Sequence, residues 1–143
     1  MSKIKIALAD DHKQMRDIWD LILSANSAFE VVCKCRNGQE AIEAASVHSP
    51  DVFIMDINMR PVSGIEATDV ITKTHPHIKV LGMSIHKDII YVKHMLDAGA
   101  TGYVTKNSSY EEVFHSIHEV YAGRHYICKE VRDLTPARMT SQL

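Results

Sequence analysis

A handful of side chains in this sequence have the types and the spacing to handle a phosphoryl group. Asp10 and Asp11 follow directly on an apolar stretch, IKIALA, and Asp56 ends a second one, VFIM. Ser84 ends a third, IKVLGMS, and Lys106 closes a fourth, ATGYVT. Three carboxylates at close range in a partly dry cleft repel one another, and each is harder to ionise unless a cation joins them. A hard divalent ion such as Mg2+ suits that set. It takes oxygen ligands, uses one or two protein carboxylates, and keeps waters and phosphate oxygens in its other positions. A carboxylate can also act as a nucleophile and accept a phosphoryl group. Such a transfer requires neutralising charge on the phosphoryl oxygens, which a metal and a lysine supply. Asp56 is therefore the expected chemical centre. Lys106 is expected to pair with Asp56 at rest and with the phosphoryl group afterwards, and Ser84 to donate a hydroxyl hydrogen bond to that group.

These groups can meet only if their segments end on one rim. Residues 3–9 alternate and then turn apolar, as a strand does, while Met15, Ile18, Trp19, Ile22 and Leu23 recur at helical spacing. Residues 30–36 read as a second strand, at a sheet edge given Lys34 and Arg36. A short helix over 39–47 follows the Asn37-Gly38 turn. The 51–57 run, bounded by Pro50 and Pro61, reads as a strand buried on both faces. The next helix carries Ala67, Val70, Ile71 and Thr74 and stops near Pro76. Residues 78–84 form a fourth strand. Asp88 can cap a helix with Ile89, Val92 and Leu96 inside and Gly99 at its end. Residues 100–105 form a fifth strand. Ser109 with Glu112 has the capping-box spacing, ahead of a buried stripe of Val113, Phe114, Ile117, Val120 and Tyr121.

Five strand–helix alternations predict an α/β fold: a doubly wound, five-stranded parallel sheet with helices on both faces. The order 2-1-3-4-5 suits five strands and sets the first and third side by side, so that Asp10, Asp11 and Asp56 converge. Residues 1–127 are expected to form one domain. Residues 128–143 read as a tail or a truncated linker, with Thr135-Pro136 able to start a further helix.

The 143 residues suffice for one ordinary domain with a substantial core. A net charge of −2 does not indicate a nucleic-acid surface. No apolar run approaches membrane-spanning length, so a cytoplasmic location and no membrane partner are expected. Cys33 and Cys35 share a strand face with Cα atoms about 6.6–6.8 Å apart, the far limit of disulfide reach. Free thiols are expected there. Among the nine histidines, His75, His77, His115 and His118 read as surface residues, while His12 and His86 stand where they could line the site.

The set Asp10-Asp11, Asp56, Ser84, Tyr103 and Lys106 resembles a two-component response-regulator receiver domain, a flavodoxin-like (βα)5 unit. The segments ALADDH, MDINM, SGIEA, LGMSIHKD, YVKHMLDAGATGYVTK and SSYEEVFHSIHEVYAGRHYI are similar to the subfamily that joins a receiver to a LuxR-type (NarL/FixJ-like) helix-turn-helix. The resemblance spans about residues 3–127. It implies that Asp56 takes a phosphoryl group from a sensor histidine kinase. It implies that Asp11 binds Mg2+ directly, Asp10 largely through water, and Asn58 through its backbone carbonyl. Ser84 and Tyr103 would be a coupled switch pair, and the fourth helix, fifth strand and last helix the output face. DNA contact through a module outside this chain is a further implication, with a free-standing receiver as the alternative. Its only catalysis would be its own phosphorylation and dephosphorylation. Separately, Ile90, Tyr91 and His94 read as an outer patch of the fourth helix where a homodimer could form. Three positions bear on rates: Asn58; Arg60, where the family usually has proline; and His86, two residues after Ser84.

Other classes fit the residues less well. A phosphatase with an aspartyl-phosphate intermediate, of the haloacid-dehalogenase kind, needs an acid two residues after the nucleophile, where this chain has Asn58. A flavin carrier needs a phosphate-binding loop after the first strand, where this chain has Asp10-Asp11-His12. A pseudo-receiver, folded but never phosphorylated, is at odds with the intact rim, apart from Arg60.

Overall fold

The computed structural model describes residues 2–143. The strands are β1 (Ile4–Ala9), β2 (Phe29–Cys35), β3 (Val52–Met55), β4 (Lys79–Ser84), β5 (Gly102–Thr105) and β6 (Tyr126–Ile127). The α-helices are α1 (Lys13–Ser24), α2 (Gly38–His48), α3 (Gly64–Thr74), α4 (Ile89–Asp97), α5 (Tyr110–Tyr121) and α6 (Lys129–Leu134), and a 3-10 helix covers Ala137–Gln142. The sheet order is β2-β1-β3-β4-β5-β6, all parallel. The expected order holds, and the sheet gains a sixth strand. Two residues, Tyr126 and Ile127, are too short a run to carry a strand signal of their own.

The central strands are apolar because both of their faces are covered. All four residues of β3 are buried, and each such side chain contributes about 1.5–3 kcal/mol on full burial. That anchorage fixes the strand end from which Asp56 projects. In register, Ala9 lies beside Met55, so the next residues, Asp10 and Asp56, leave the sheet at one level. Ser84 lies beside Thr105, which puts Lys106 one step beyond Ser84. The four apolar stretches therefore deliver their polar ends to one rim, at the point where the strand order reverses.

Some helix phases differ from the expected ones. In α3 the buried stripe is Gly64, Ala67, Thr68 and Ile71, while Val70 is 38% exposed. Hydrophobicity favours Val70, but the i, i+3, i+4, i+7 geometry turns Thr68 inward. In α5 Ser116 takes an inner place and Tyr121 is half exposed. In α4 the buried residues are Val92 and Met95. Asp88 stands at the N-cap of α4 without a side-chain capping bond. Ser109 does cap α5, accepting from the Glu112 amide at 3.1 Å. The Glu112 carboxylate, however, turns to Tyr126 and Lys129 rather than back to Ser109.

Residues 128–134 fold against β5, and Cys128 and Val131 are fully buried. Thr135 does not cap a following helix; its hydroxyl donates to the Val131 carbonyl and closes α6. Cys33, Cys35 and Cys128 are free thiols.

Candidate functional site

Asp56 is 5% exposed, a carboxylate at the end of a fully buried strand. Its Oδ1 accepts from the Ile57 amide at 2.8 Å. Its Oδ2 lies 3.2 Å from Lys106 Nζ, which also donates to Asp10 Oδ2 at 2.8 Å. One ammonium thus bridges carboxylates from two neighbouring strands. Oxygen atoms of Asp10, Asp11 and Asp56 and a ring nitrogen of His12 all lie within 4.8 Å of one another. With three carboxylates and one ammonium, the cluster carries two surplus negative charges, which a divalent cation would balance. The donor set fits Mg2+, being built of carboxylate oxygens with one side open to water. Asp11 supplies that open side. It is exposed, and its Oδ1 rests 2.9 Å from His12 Nδ1, a contact that an incoming cation would displace.

Burial pushes the Asp56 carboxyl above the ordinary carboxylate range; the Lys106 charge opposes this and the Asp10 charge adds to it. For Lys106, burial works against the ammonium. The hydrogen bond to Asp10 and the charges of Asp56 and Asp10 outweigh it and raise the net value. The geometry therefore holds a reluctant carboxylate beside a committed cation.

The turn after β3 is shaped by close packing. Gly64 donates to the Ile57 carbonyl at 2.9 Å, and a Cβ on Gly64 would stand 1.7 Å from the Asp56 carbonyl oxygen. Only glycine lets the start of α3 approach β3 so closely. Asn58 and Arg60 line an open cleft beside Asp11, with Met59, Ser63 and Tyr91. Arg60 is exposed, and among the described residues no carboxylate lies within ion-pair distance of it.

A second cluster sits at the ends of β4 and β5. Ser84 and Tyr103 are fully buried. The Tyr103 hydroxyl donates to the His86 carbonyl at 2.6 Å, and the His86 amide donates to Ser84 Oγ at 3.2 Å. Burial raises the Tyr103 phenol, while the nearby Ser84 hydroxyl acts in the opposite direction. The His86 ring stacks on Tyr91, with centroids 3.8 Å apart, and its Nε2 lies 2.7 Å from the Asn58 side-chain amide. His86 therefore connects the loop after β3 to α4.

A match to the response regulator receiver domain covers residues 6–118. The chain belongs to the response regulator receiver family. This receiver is 39% identical over 130 residues to the transcriptional regulatory protein DegU of Brevibacillus brevis, spanning 91% of this chain and 55% of that protein. It is 38% identical over 125 residues to the oxygen regulatory protein NreC of Staphylococcus epidermidis, spanning 87% and 57%. The receiver thus spans just over half the length of these curated relatives. Among solved structures, a LuxR-family two-component response regulator from an Aurantimonas species superposes with a TM-score of 0.88 at 28% identity, over 92% of this chain and 94% of that one. The signal receiver domain of NarL from Mycobacterium tuberculosis gives 0.83 at 27% identity, over 87% and 100%.

The structure brings Asp10, Asp11, Asp56 and Lys106 of this receiver into one cluster, and Ser84 and Tyr103 into the adjoining one through His86. Arg60 stays on the rim. One residue beside the acids, Arg16, carries no expectation of contact from the sequence, whereas His12 is expected to line the site. Arg16 Nη1 donates to the Asp10 carbonyl at 2.6 Å. His12 reaches both first-strand acids; its adjacency to Asp10-Asp11 is a usable signal, whereas Arg16 reads as any helix surface residue. No described helix is long and apolar enough to cross a membrane.

Proposed function

We propose that Asp56 is the phosphoacceptor of this receiver and takes its phosphoryl group from the phosphohistidine of a sensor kinase. The observation that carries the reading is the bridge of Lys106 to both Asp56 and Asp10 at the mouth of a three-carboxylate cluster. An Asp56 carboxylate oxygen attacks phosphorus, the phosphorus–nitrogen bond of the donor breaks, and its electron pair leaves with the imidazole. Lys106 turns from the carboxylate to the new phosphoryl oxygens, and the Ser84 hydroxyl donates to another. Asp11, Asp56 and the Asn58 backbone carbonyl would hold Mg2+, with Asp10 acting largely through water. A bound Mg2+ would neutralise charge on the phosphoryl oxygens.

Ser84 and Tyr103 would read the phosphoryl state through the His86 loop. Asn58, Arg60 and His86 would set the rates of phosphorylation and hydrolysis, since they surround the approach to Asp56. The name of DegU, and the fact that this chain spans just over half of DegU and NreC, support transcriptional output through a module outside this chain. A DNA-binding module, a cytoplasmic location and a homodimer belong to the same proposal. The receiver's own catalysis would then be confined to gaining and losing one phosphoryl group.

Incubation with a small phosphodonor and Mg2+, followed by peptide mapping, tests the assignment. Phosphate on Asp56, lost with chelator and in Asp56→Asn, is expected. Labelling that persists in Asp56→Asn would refute it.

A further inference from the structure

The segment after α5 is built into the neighbourhood of Tyr103. In the β5–β6 register Ile127 lies opposite Tyr103, so the two side chains share a face and stand side by side. On its other flank the ring lies on Gly82, where a Cβ would come within 3.0 Å of Tyr103 Cδ2. The ring is thus seated between the bare backbone of β4 and a strand from the end of the chain. The Cys128 amide donates to the Tyr103 carbonyl at 2.9 Å.

The start of α6 is pinned by two glutamates. The Thr105 hydroxyl, next to Lys106, donates to Glu130 Oε1 at 2.5 Å. The Glu112 carboxylate accepts from the Tyr126 hydroxyl at 2.6 Å and from the Lys129 amide at 2.9 Å. Each contact ties β6 or α6 to the strand that carries Tyr103 and leads into Lys106, or to the first turn of α5 that follows it.

We propose that β6 and α6 form a strap over Tyr103, so that seating of the strap and the phosphoryl state of Asp56 are thermodynamically linked. The proposal rests on the reading of Asp56 as the acceptor. Drawing the Ser84 hydroxyl toward a phosphoryl group on Asp56 pulls on the His86 loop, because the His86 amide is bound to that hydroxyl. The His86 carbonyl is also the acceptor for Tyr103, whose ring makes that bond from its seat over Gly82. Ile127 closes the far side of the seat. A phosphoryl group on Asp56 therefore favours the seated ring, and the seated strap favours the same state. Linkage is reciprocal: whatever tightens the strap tightens phosphoryl binding by the same factor. The chain leaving α6 runs through Pro136 into the 3-10 helix Ala137–Gln142, so the strap joins the site to that segment.

The test uses the full chain with Mg2+ and beryllofluoride as the phosphoryl mimic. Hydrogen exchange over residues 126–134 should slow when the mimic binds to the wild type, most of all at the Cys128 amide. Ile127→Ala should bind the mimic at least about fivefold more weakly, read from the fluorescence of Trp19, which lines the same small cavity as Asp10 and Asp56. Glu130→Ala serves as the second variant should circular dichroism show that Ile127→Ala does not fold. Unchanged exchange in the strap, or wild-type affinity in the folded variant, would overturn the strap. A wild type that does not bind the mimic at all would instead overturn the assignment of Asp56.

Discussion

Replacing Lys106 with methionine removes the ammonium that bridges Asp56 and Asp10 while keeping a side chain of similar length. At an effective dielectric constant of about 20, charges 2.8 Å apart attract with about 6 kcal/mol and charges 3.2 Å apart with about 5 kcal/mol. Those are gross values, offset by the desolvation of all three groups. The Lys106 side chain is 12% exposed, and those of Asp56 and Asp10 are 6% and 13% exposed, so the contact is not a surface pair. Breaking a buried pair from one side costs about 3–5 kcal/mol, because the partner charges remain. We expect Lys106→Met to lose that much in urea unfolding at pH 7. The loss should shrink in Asp56→Asn and shrink further in Asp10→Asn, following the shorter contact. Mg2+ should stabilise Lys106→Met more than wild type, since the cation takes over the missing positive charge. Saturation at 100 times the dissociation constant corresponds to about 2.7 kcal/mol. A loss below about 1 kcal/mol, the range of exposed salt bridges, would refute the view that this lysine holds the cluster together.

Further outcomes follow from the same geometry. Burial raises the Asp56 carboxyl in the folded chain, so ionised Asp56 costs stability above its folded pKa, and that cost fades as the pH falls toward the unfolded value of 3.8. Asp56→Asn should therefore be more stable than wild type at neutral pH, with the gap closing on acidification; a gap independent of pH would contradict the shift. Lys106 has a raised folded value. Its contribution is complete below 10.5 and lost as the pH climbs through the folded value, so the difference between wild type and Lys106→Met should narrow in strong alkali. Gly64→Ala puts a methyl group 1.7 Å from the Asp56 carbonyl oxygen; a cost at or above the usual 1–3 kcal/mol of overpacking, about 3 kcal/mol or more, is expected in urea unfolding. Tyr103→Phe leaves the His86 carbonyl without its 2.6 Å donor and should cost about 1–3 kcal/mol with the fold retained by circular dichroism.

The alternation of apolar stretches and amphipathic helices is readable because each buried strand must be apolar on both faces. It gives the strand order and, through that order, the meeting of Asp10 with Asp56. Lys106 is legible for the same reason: it ends a strand on the same rim. Helix phase is less legible where small polar residues go inward. Thr68 and Ser116 face the core, and hydrophobicity alone favours Val70 and Tyr121 instead. The β6–α6 segment escapes a sequence reading because its strand is two residues long and its hold depends on Glu112, Glu130 and Thr105, side chains far apart in the chain. Arg16 escapes for a related reason, since a guanidinium bound to one backbone carbonyl leaves no periodic pattern.

The most direct measurement is a crystal structure of the wild-type chain grown with Mg2+ and beryllofluoride. Our account predicts the beryllium joined to an Asp56 carboxylate oxygen, Mg2+ in contact with Asp11, Asp56 and the Asn58 carbonyl, and fluorides within hydrogen-bond distance of Lys106 Nζ and Ser84 Oγ. Lys106 still closed on Asp56, with the mimic absent or bound elsewhere, would contradict it.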